Sequence, residues 1–277
     1  MNTETCISEG AALLEAAGIE NCRQEARWLF SQLMCEIPPC STPCPADLPE
    51  WLLVEFNKRL QRRANGEPLQ YIMGSAEFYN VELLVGPGVL IPRPETEQLV
   101  EIALRHLKGT KVCDLCTGSG AIAIAIAKER PEVTVTGIDI SSEALSYAQR
   151  NKAQLGLKNV SFLVGDLFAP LSFDATFSLI TANPPYVTAA EYEHLESVVH
   201  DYEPSLALVG GEDGLDVLRR IAASARVFLE PGGTLISEIG EEQGERASEL
   251  FRKNGFSKVE TAKDYSGKDR FIIAMNT

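Results

Sequence analysis

Residues 111–141 read KVCDLCTGSGAIAIAIAKERPEVTVTGIDIS, and the fold follows from how that run divides. Lys111–Leu115 is a short, mostly apolar run and predicts a strand. Gly118 and Gly120 permit a tight turn after it and let a ligand approach the backbone closely. Ala121–Ala127 reads AIAIAIA, a period of two that in isolation indicates a strand. It follows the first strand by only a turn, however, and runs into Lys-Glu-Arg-Pro, a helix-ending set, so a helix over Ala121–Glu129 is expected. Val133–Asp139 then supplies a second strand. Strand, helix and strand make a βαβ unit.

Working outward, the alternation continues on both sides. A helix over Glu95–Leu107 precedes the unit, and a helix over Ser142–Leu155 follows it. Further strands are expected at Val160–Val164, Phe177–Ala182, Gly233–Ile239 and Phe271–Met275. Such a pattern indicates an α/β domain with a parallel sheet covered on both faces.

Towards the N-terminus the period changes. Ala11, Leu14 and Ala17, then Ala26, Leu29, Phe30 and Leu33, recur at helical spacing. Residues 37–49 carry five prolines and interrupt the helices, which resume over Pro49–Ala64 with Leu52, Leu53, Phe56 and Leu60 on one face. Asn65-Gly66 ends that helix. Residues 76–92, with turn signals at Asn80 and Gly86-Pro87-Gly88, predict a β-hairpin. The expected organisation is a helical domain over 1–75, a hairpin linker over 76–92 and a catalytic domain over 93–277.

Composition narrows the class. The chain has 277 residues, 45% apolar and 23% charged, as in ordinary globular proteins. No apolar run is long enough to span a membrane, and the N-terminus lacks a basic leader with a greasy stretch, so a cytoplasmic protein is expected. The formal charge of −14 suits a nucleic-acid backbone poorly. Lys58, Arg59, Arg62 and Arg63 form one small basic cluster, best read as a solvated helix face. Among seven cysteines, Cys35, Cys40 and Cys44 stand close together and Cys113 and Cys116 form a C-x-x-C. The second pair falls in and beside an apolar strand, which favours structural or free thiols over a zinc site. No metal is expected.

The chemistry is expected at strand ends. Asp139 closes the second strand, where a carboxylate can accept from both hydroxyls of a ribose. Asp166 follows the third strand and is placed to meet an adenine. Gly118, Gly120 and Ala123 also fit a dinucleotide fingerprint, so the loop alone leaves nicotinamide and S-adenosylmethionine both open. The fourth strand, FSLITA, ends in Asn183, Pro184, Pro185 and Tyr186. Two prolines fix φ and remove two donors, so the bend presents carbonyls beside the Asn183 side-chain oxygen. Two acceptors held this way can grip both N–H groups of an NH₂, and Tyr186 can supply a flat wall. That arrangement points to methyl transfer onto an amide or exocyclic nitrogen.

The blocks Gly66–Glu101 (GEPLQYIMGSAEFYNVELLVGPGVLIPRPETEQLVE), DLCTGSGAIAIA, GIDIS, NPPYV and His200–Ile221 (HDYEPSLALVGGEDGLDVLRRI) resemble the PrmC/HemK family, the peptide chain release factor N(5)-glutamine methyltransferases. The resemblance covers nearly the whole chain. It implies a class I methyltransferase, Rossmann-like and seven-stranded, with S-adenosylmethionine as cofactor and S-adenosylhomocysteine as product. It implies further that Cys116, Thr117, Gly118, Ser119 and Gly120 contact the cofactor's methionine end, with Asp139 on the ribose and Asp166 and Leu167 by the adenine. Asn183 is the implied catalytic asparagine, and Asn183–Tyr186 would hold the glutamine of a Gly-Gly-Gln motif in a release factor during translation termination. Arg93 and Glu97 would line or close the cleft, and the helical domain would help grip the protein substrate. A monomer without direct nucleic-acid contact is expected; amino-group methylation of RNA or DNA is the alternative reading. Two departures stand out. The family commonly has Gly where this chain has Cys116, and often an aromatic where it has Leu167. Phe168 could replace that aromatic only if the backbone turned it inward.

Overall fold

The computed structural model describes residues 2–36 and 48–276. Cys40, Cys44 and most of the proline-rich stretch lie outside the described residues. The chain divides into two compact units, Met1–Gly74 with Ser197–Tyr202, and Ser75–Glu196 with Glu203–Thr277.

The smaller unit is helical: α1 (Thr3–Ala16), α2 (Cys22–Glu36), α3 (Glu50–Ala64) and α4 (Leu69–Met73). Asn2 caps α1, its side chain accepting from the Thr5 N–H at 2.8 Å. Leu14, Leu29 and Leu52 are fully buried, and Phe30 meets Phe56 edge to face with centroids 5.4 Å apart. Ala17, expected on the apolar face, is exposed because α1 has already ended; Leu53 is only half-buried. The basic cluster is matched charge for charge or amide for charge. Lys58 pairs with Glu55, Arg62 with Glu67 and Arg63 with Glu25, while buried Arg59 donates to Gln32. Tyr202, from the returning segment, donates its hydroxyl to the Asn65 carbonyl at 3.0 Å.

The larger unit begins with a two-stranded antiparallel hairpin, β1 (Ser75–Phe78) and β2 (Val81–Leu84). There follow α5 (Pro94–His106), β3 (Lys111–Leu115), α6 (Ala121–Glu129), β4 (Thr134–Asp139), α7 (Ser142–Gln154), β5 (Val160–Val164) and β6 (Phe177–Ala182). Two short turns of helix, α8 (Ala189–Tyr192) and α9 (Ser197–His200, part of the smaller unit), precede α10 (Asp216–Phe228), β7 (Leu229–Glu238), α11 (Gly244–Lys253), β8 (Lys258–Lys263) and β9 (Asp269–Met275).

Seven strands form one sheet in the order β5-β4-β3-β6-β7-β9-β8. The expectation of a parallel sheet holds for β3 to β7, but β9 runs antiparallel to β7 and β8 antiparallel to β9. Strand β8, which the sequence reading did not place, is an edge strand reading KVETAK. Lysines at its ends and a single apolar side chain longer than alanine protect an edge, and they also hide it from pattern reading. The run AIAIAIA is helix α6, and every residue from Ala121 to Ala127 is buried. A helix covered all round needs no polar stripe, which is why its sequence can mimic a strand.

The hairpin contributes Phe78, Val81 and Leu83 to the same apolar cluster as α5 and α6. Asn151 of α7, fully buried, ties it down: its Oδ1 accepts from the Leu84 N–H at 2.6 Å, and its Nδ2 donates to the carbonyls of Leu84 and Ser119. One side chain thus joins the hairpin to the loop between β3 and α6. Because the strand order reverses between β3 and β6, a crevice opens at the carboxyl ends of these strands.

Candidate active site

A cavity of about 230 Å³ occupies that crevice. Of the nine residues expected at the cofactor, it is lined by Cys116, Thr117, Gly118, Ser119, Asp139, Asp166, Leu167 and Asn183. Gly120 is not on its wall. It caps α6 at φ +82°, and a Cβ there would come within 2.9 Å of the Phe162 ring, so glycine is required for helix packing. Of the four residues at the bend, Asn183 and Pro185 line the cavity, whereas Pro184 and Tyr186 do not.

The loop after β3 is braced from beneath. Asp114, fully buried, accepts from the hydroxyls of Thr117 at 2.5 Å and Thr181 at 2.7 Å, linking the ends of β3 and β6. Burial pushes its carboxyl up to about 7, against the pull of those hydrogen bonds. Cys116, at φ +54°, and Leu167, at φ +51°, both line the cavity in the left-handed region. Non-glycine residues held there store strain, and such strain concentrates at functional sites. Phe168 turns away from the cavity and stacks on Phe228, rings 4.7 Å apart, so of the two it is Leu167 that lines the cavity.

The donor set fits S-adenosylmethionine better than a dinucleotide. Asp139 Oδ2 accepts from the Gly118 N–H at 2.8 Å and Oδ1 from the Ser141 N–H at 2.9 Å. Burial raises its carboxyl above the usual range against the pull of the Ser141, Gly118 and Ile140 N–H groups, and a carboxylate with about four acceptor sites keeps capacity for a ribose hydroxyl. A pyrophosphate would need loop N–H groups and free cations. The Gly118 N–H is already given to a carboxylate, and the two arginines on the wall are paired, Arg220 with Asp166 at 2.6 Å and Arg93 with Glu203 at 2.5 Å. Ile140, half exposed, and Leu167 offer apolar surface for a purine.

The segment before α5 closes another wall. Buried Glu203 accepts from the Ile91 N–H at 3.1 Å and from Arg93, fixing Leu90, Pro92 and Arg93 along the cavity. Glu97, expected to share that task, does not reach it; its Oε1 accepts from the Tyr79 N–H at 3.0 Å, in the hairpin turn. The residue of α5 that faces the cavity is Thr96.

Thr96 was not singled out from sequence, nor was the chain of bonds it joins. Asn183 Nδ2 donates to Thr96 Oγ1 at 3.2 Å, and the Thr96 hydroxyl donates to Glu238 Oε2 at 2.7 Å. No protein partner engages Asn183 Oδ1 among the described residues. Tyr186 directs its hydroxyl to Glu238, and burial pushes that phenol well up. Burial also lifts Glu238, at the end of β7, to about 7, while Thr96, Arg270 and Tyr186 pull it down. Of the carbonyls at the bend, that of Tyr186 accepts from Gln243 Nε2 at 3.0 Å.

Residues 106–269 match the methyltransferase domain family, and residues 5–74 match the PrmC N-terminal domain family. A release factor glutamine methyltransferase of Thermodesulfovibrio yellowstonii is 48% identical over 77% of this chain and 78% of its own length. One of Geobacter sulfurreducens is 41% identical over 94% of this chain and 91% of its own. A methyltransferase from Pyrococcus furiosus shares the fold, with a TM-score of 0.54 at 20% identity, covering 72% of this chain and 90% of that one. With both domain families matched in order and a 41% identical relative covering 94% of the chain, the chain belongs to the release factor glutamine methyltransferase family.

Proposed function

We propose that this chain transfers a methyl group from S-adenosylmethionine to the side-chain amide nitrogen of the glutamine in the Gly-Gly-Gln motif of peptide chain release factors. The observation that carries the reading is Asn183: its NH₂ is spent on Thr96, so its oxygen is the polar atom left for the cavity. A substrate NH₂ needs acceptors, and an amide oxygen at the end of β6 is one.

When bound, S-adenosylmethionine supplies an electrophilic methyl on sulfur. The protein must hold the substrate nitrogen in line with that methyl, within about 3–3.5 Å. Asn183 Oδ1 and a carbonyl of the Pro184-Pro185 bend accept its two N–H bonds, and the Tyr186 carbonyl is not that second acceptor because Gln243 holds it. Accepting both bonds draws density onto the nitrogen and stabilises the positive charge that grows there. No strong base is needed beforehand, because the N–H becomes acidic only after the methyl arrives. Asp139 and the Cys116–Ser119 loop would hold the ribose and methionine ends, and Asp166 and Leu167 the adenine. Tyr186, off the cavity wall, anchors the bend through its hydroxyl on Glu238.

A protein rather than a nucleic-acid substrate accords with the charge of −14 and with the pairing of every member of the basic cluster. The helical unit is proposed to grip the release factor. Trp28 and Trp51 stand about half exposed on it, and exposed tryptophans are frequent anchors in protein interfaces. W28A and W51A are expected to raise the KM for a whole release factor and leave kcat unchanged; an unchanged KM for both sinks that role.

Labelled S-adenosylmethionine with a purified release factor tests the main reading. Label should enter the factor and be absent from the same factor with its Gly-Gly-Gln glutamine changed to alanine. Cofactor binding without label on the factor would overturn the substrate and direct attention to RNA and DNA.

A further inference from the structure

Glu238 is 1% exposed, ends β7, and touches neither the cofactor position nor the bend's free acceptors. Such a carboxyl is expensive to bury. What it does follows from counting protons along the chain of hydrogen bonds.

A threonine hydroxyl has one proton to give and lone pairs to accept with, and an ionised carboxylate can only accept. With Glu238 ionised, Thr96 must donate to it across their 2.7 Å contact. Thr96 Oγ1 then has only acceptor capacity for Asn183, so the Asn183 amide must turn its NH₂ to Thr96 and its oxygen outward. Put a proton on Glu238 Oε2, the oxygen that faces Thr96, and the direction reverses. The carboxylic acid can donate to Thr96, the freed threonine proton goes to Asn183 Oδ1, and the amide turns its NH₂ to the cavity. A substrate NH₂ would then meet donors instead of an acceptor.

We propose that Glu238, acting through Thr96, is a positioning residue that sets the direction of hydrogen bonding at Asn183, so that the amide oxygen faces the substrate nitrogen. The inference rests on the reading of Asn183 given above. The groups around Glu238 come from three elements. Thr96 and Glu95 lie on α5, Tyr186 on the bend after β6, and Arg270 on β9, with Asp264 behind it as the arginine's partner at 3.3 Å. Arg93 acts on the Tyr186 phenol. Arg270 favours the ionised form and burial opposes it, which places the change of state near neutrality.

The test uses the full chain, a purified release factor and the variants T96V, T96S and E238Q. Cofactor Kd is measured directly, and kcat and KM are followed from about pH 5.5 to about pH 8.5. Valine keeps the volume of Thr96 and removes the relay; serine keeps the relay; glutamine at 238 can donate where the carboxylate could not. At high pH, T96V and E238Q should lose about 10- to 100-fold in kcat. KM and cofactor Kd should stay within about threefold of wild type, and T96S within about threefold in kcat. Wild-type kcat should fall about tenfold per unit below about pH 7, and E238Q should lack that limb. Wild-type kcat in T96V, or an unchanged acid limb in E238Q, overturns the proposal. Should E238Q not fold, T96V against T96S decides alone. A wild-type enzyme that labels no release factor overturns the reading of Asn183 and this inference with it, whereas an active wild type with indifferent variants overturns this inference only.

Discussion

Cys116 holds a side chain at φ +54°, where a Cβ crowds the backbone and glycine would not. The chain tolerates it because the loop around it is over-determined: Thr117 is fixed by Asp114, and Gly118 by Asp139. C116G and C116A both delete the sulfur and differ only in that Cβ. C116G is therefore expected to be more stable than C116A by about 1 kcal/mol in chemical denaturation, and equal stability would mean that no strain is stored there. Asn183 carries the opposite kind of expectation, one of rate. Removing its oxygen in N183A should cost about 100- to 1,000-fold in kcat, with cofactor Kd within about threefold. Loss of cofactor binding instead would move Asn183 from the substrate to the cofactor.

At the scale of elements, the hairpin, α7 and the cofactor loop are one construction held by Asn151. N151A leaves the part-buried Leu84 N–H without its acceptor and two carbonyls without donors. Such groups cost about 1–3 kcal/mol each when stranded, so the variant should lose at least about 2 kcal/mol of unfolding free energy. A loss under about 0.5 kcal/mol would show that water or a shifted hairpin takes over those bonds. This construction also marks what sequence can and cannot reveal. Strand ends are legible locally: Asp139 and Asn183 close apolar runs, and the cavity lies where those runs end. Strand β8 was hidden because KVETAK carries almost no apolar pattern. The IPRPETE segment was legible as a whole, but not which residue of it faces the site. One residue along a helix is a turn of about 100°, and that phase brings Thr96 to the cavity and sends Glu97 to Tyr79. Thr96, Asn183 and Glu238 are far apart in sequence, and only the packing of α5 over β6 and β7 makes them a chain.

Across the whole larger unit, two carboxyls, Asp114 and Glu238, are buried under or beside one cavity, and burial lifts both to about 7. Their ordinary values are 3.8 and 4.5. Each is protonated more readily in the folded chain than in the unfolded one. Below about pH 4 both states hold the proton and the contribution to stability is complete. As pH rises from there to about 7, the unfolded chain sheds its protons first, and the folded state loses up to about 3–4 kcal/mol per group. Asp213 behaves oppositely, held down to about 2 by Arg219, but its effect falls below pH 4 and it is paired at the surface. Repulsion within a chain of charge −14 also grows as pH rises, so wild type alone does not isolate the effect. The difference between wild type and E238Q does. E238Q should gain on wild type between pH 5 and pH 8, by about 2–3 kcal/mol in urea unfolding at fixed salt. A difference that stays constant over that range would mean that Glu238 is not lifted by burial. If instead the gap widens while E238Q loses turnover, the site keeps an ionised carboxylate at the expense of stability because the direction of the bonds at Asn183 depends on it.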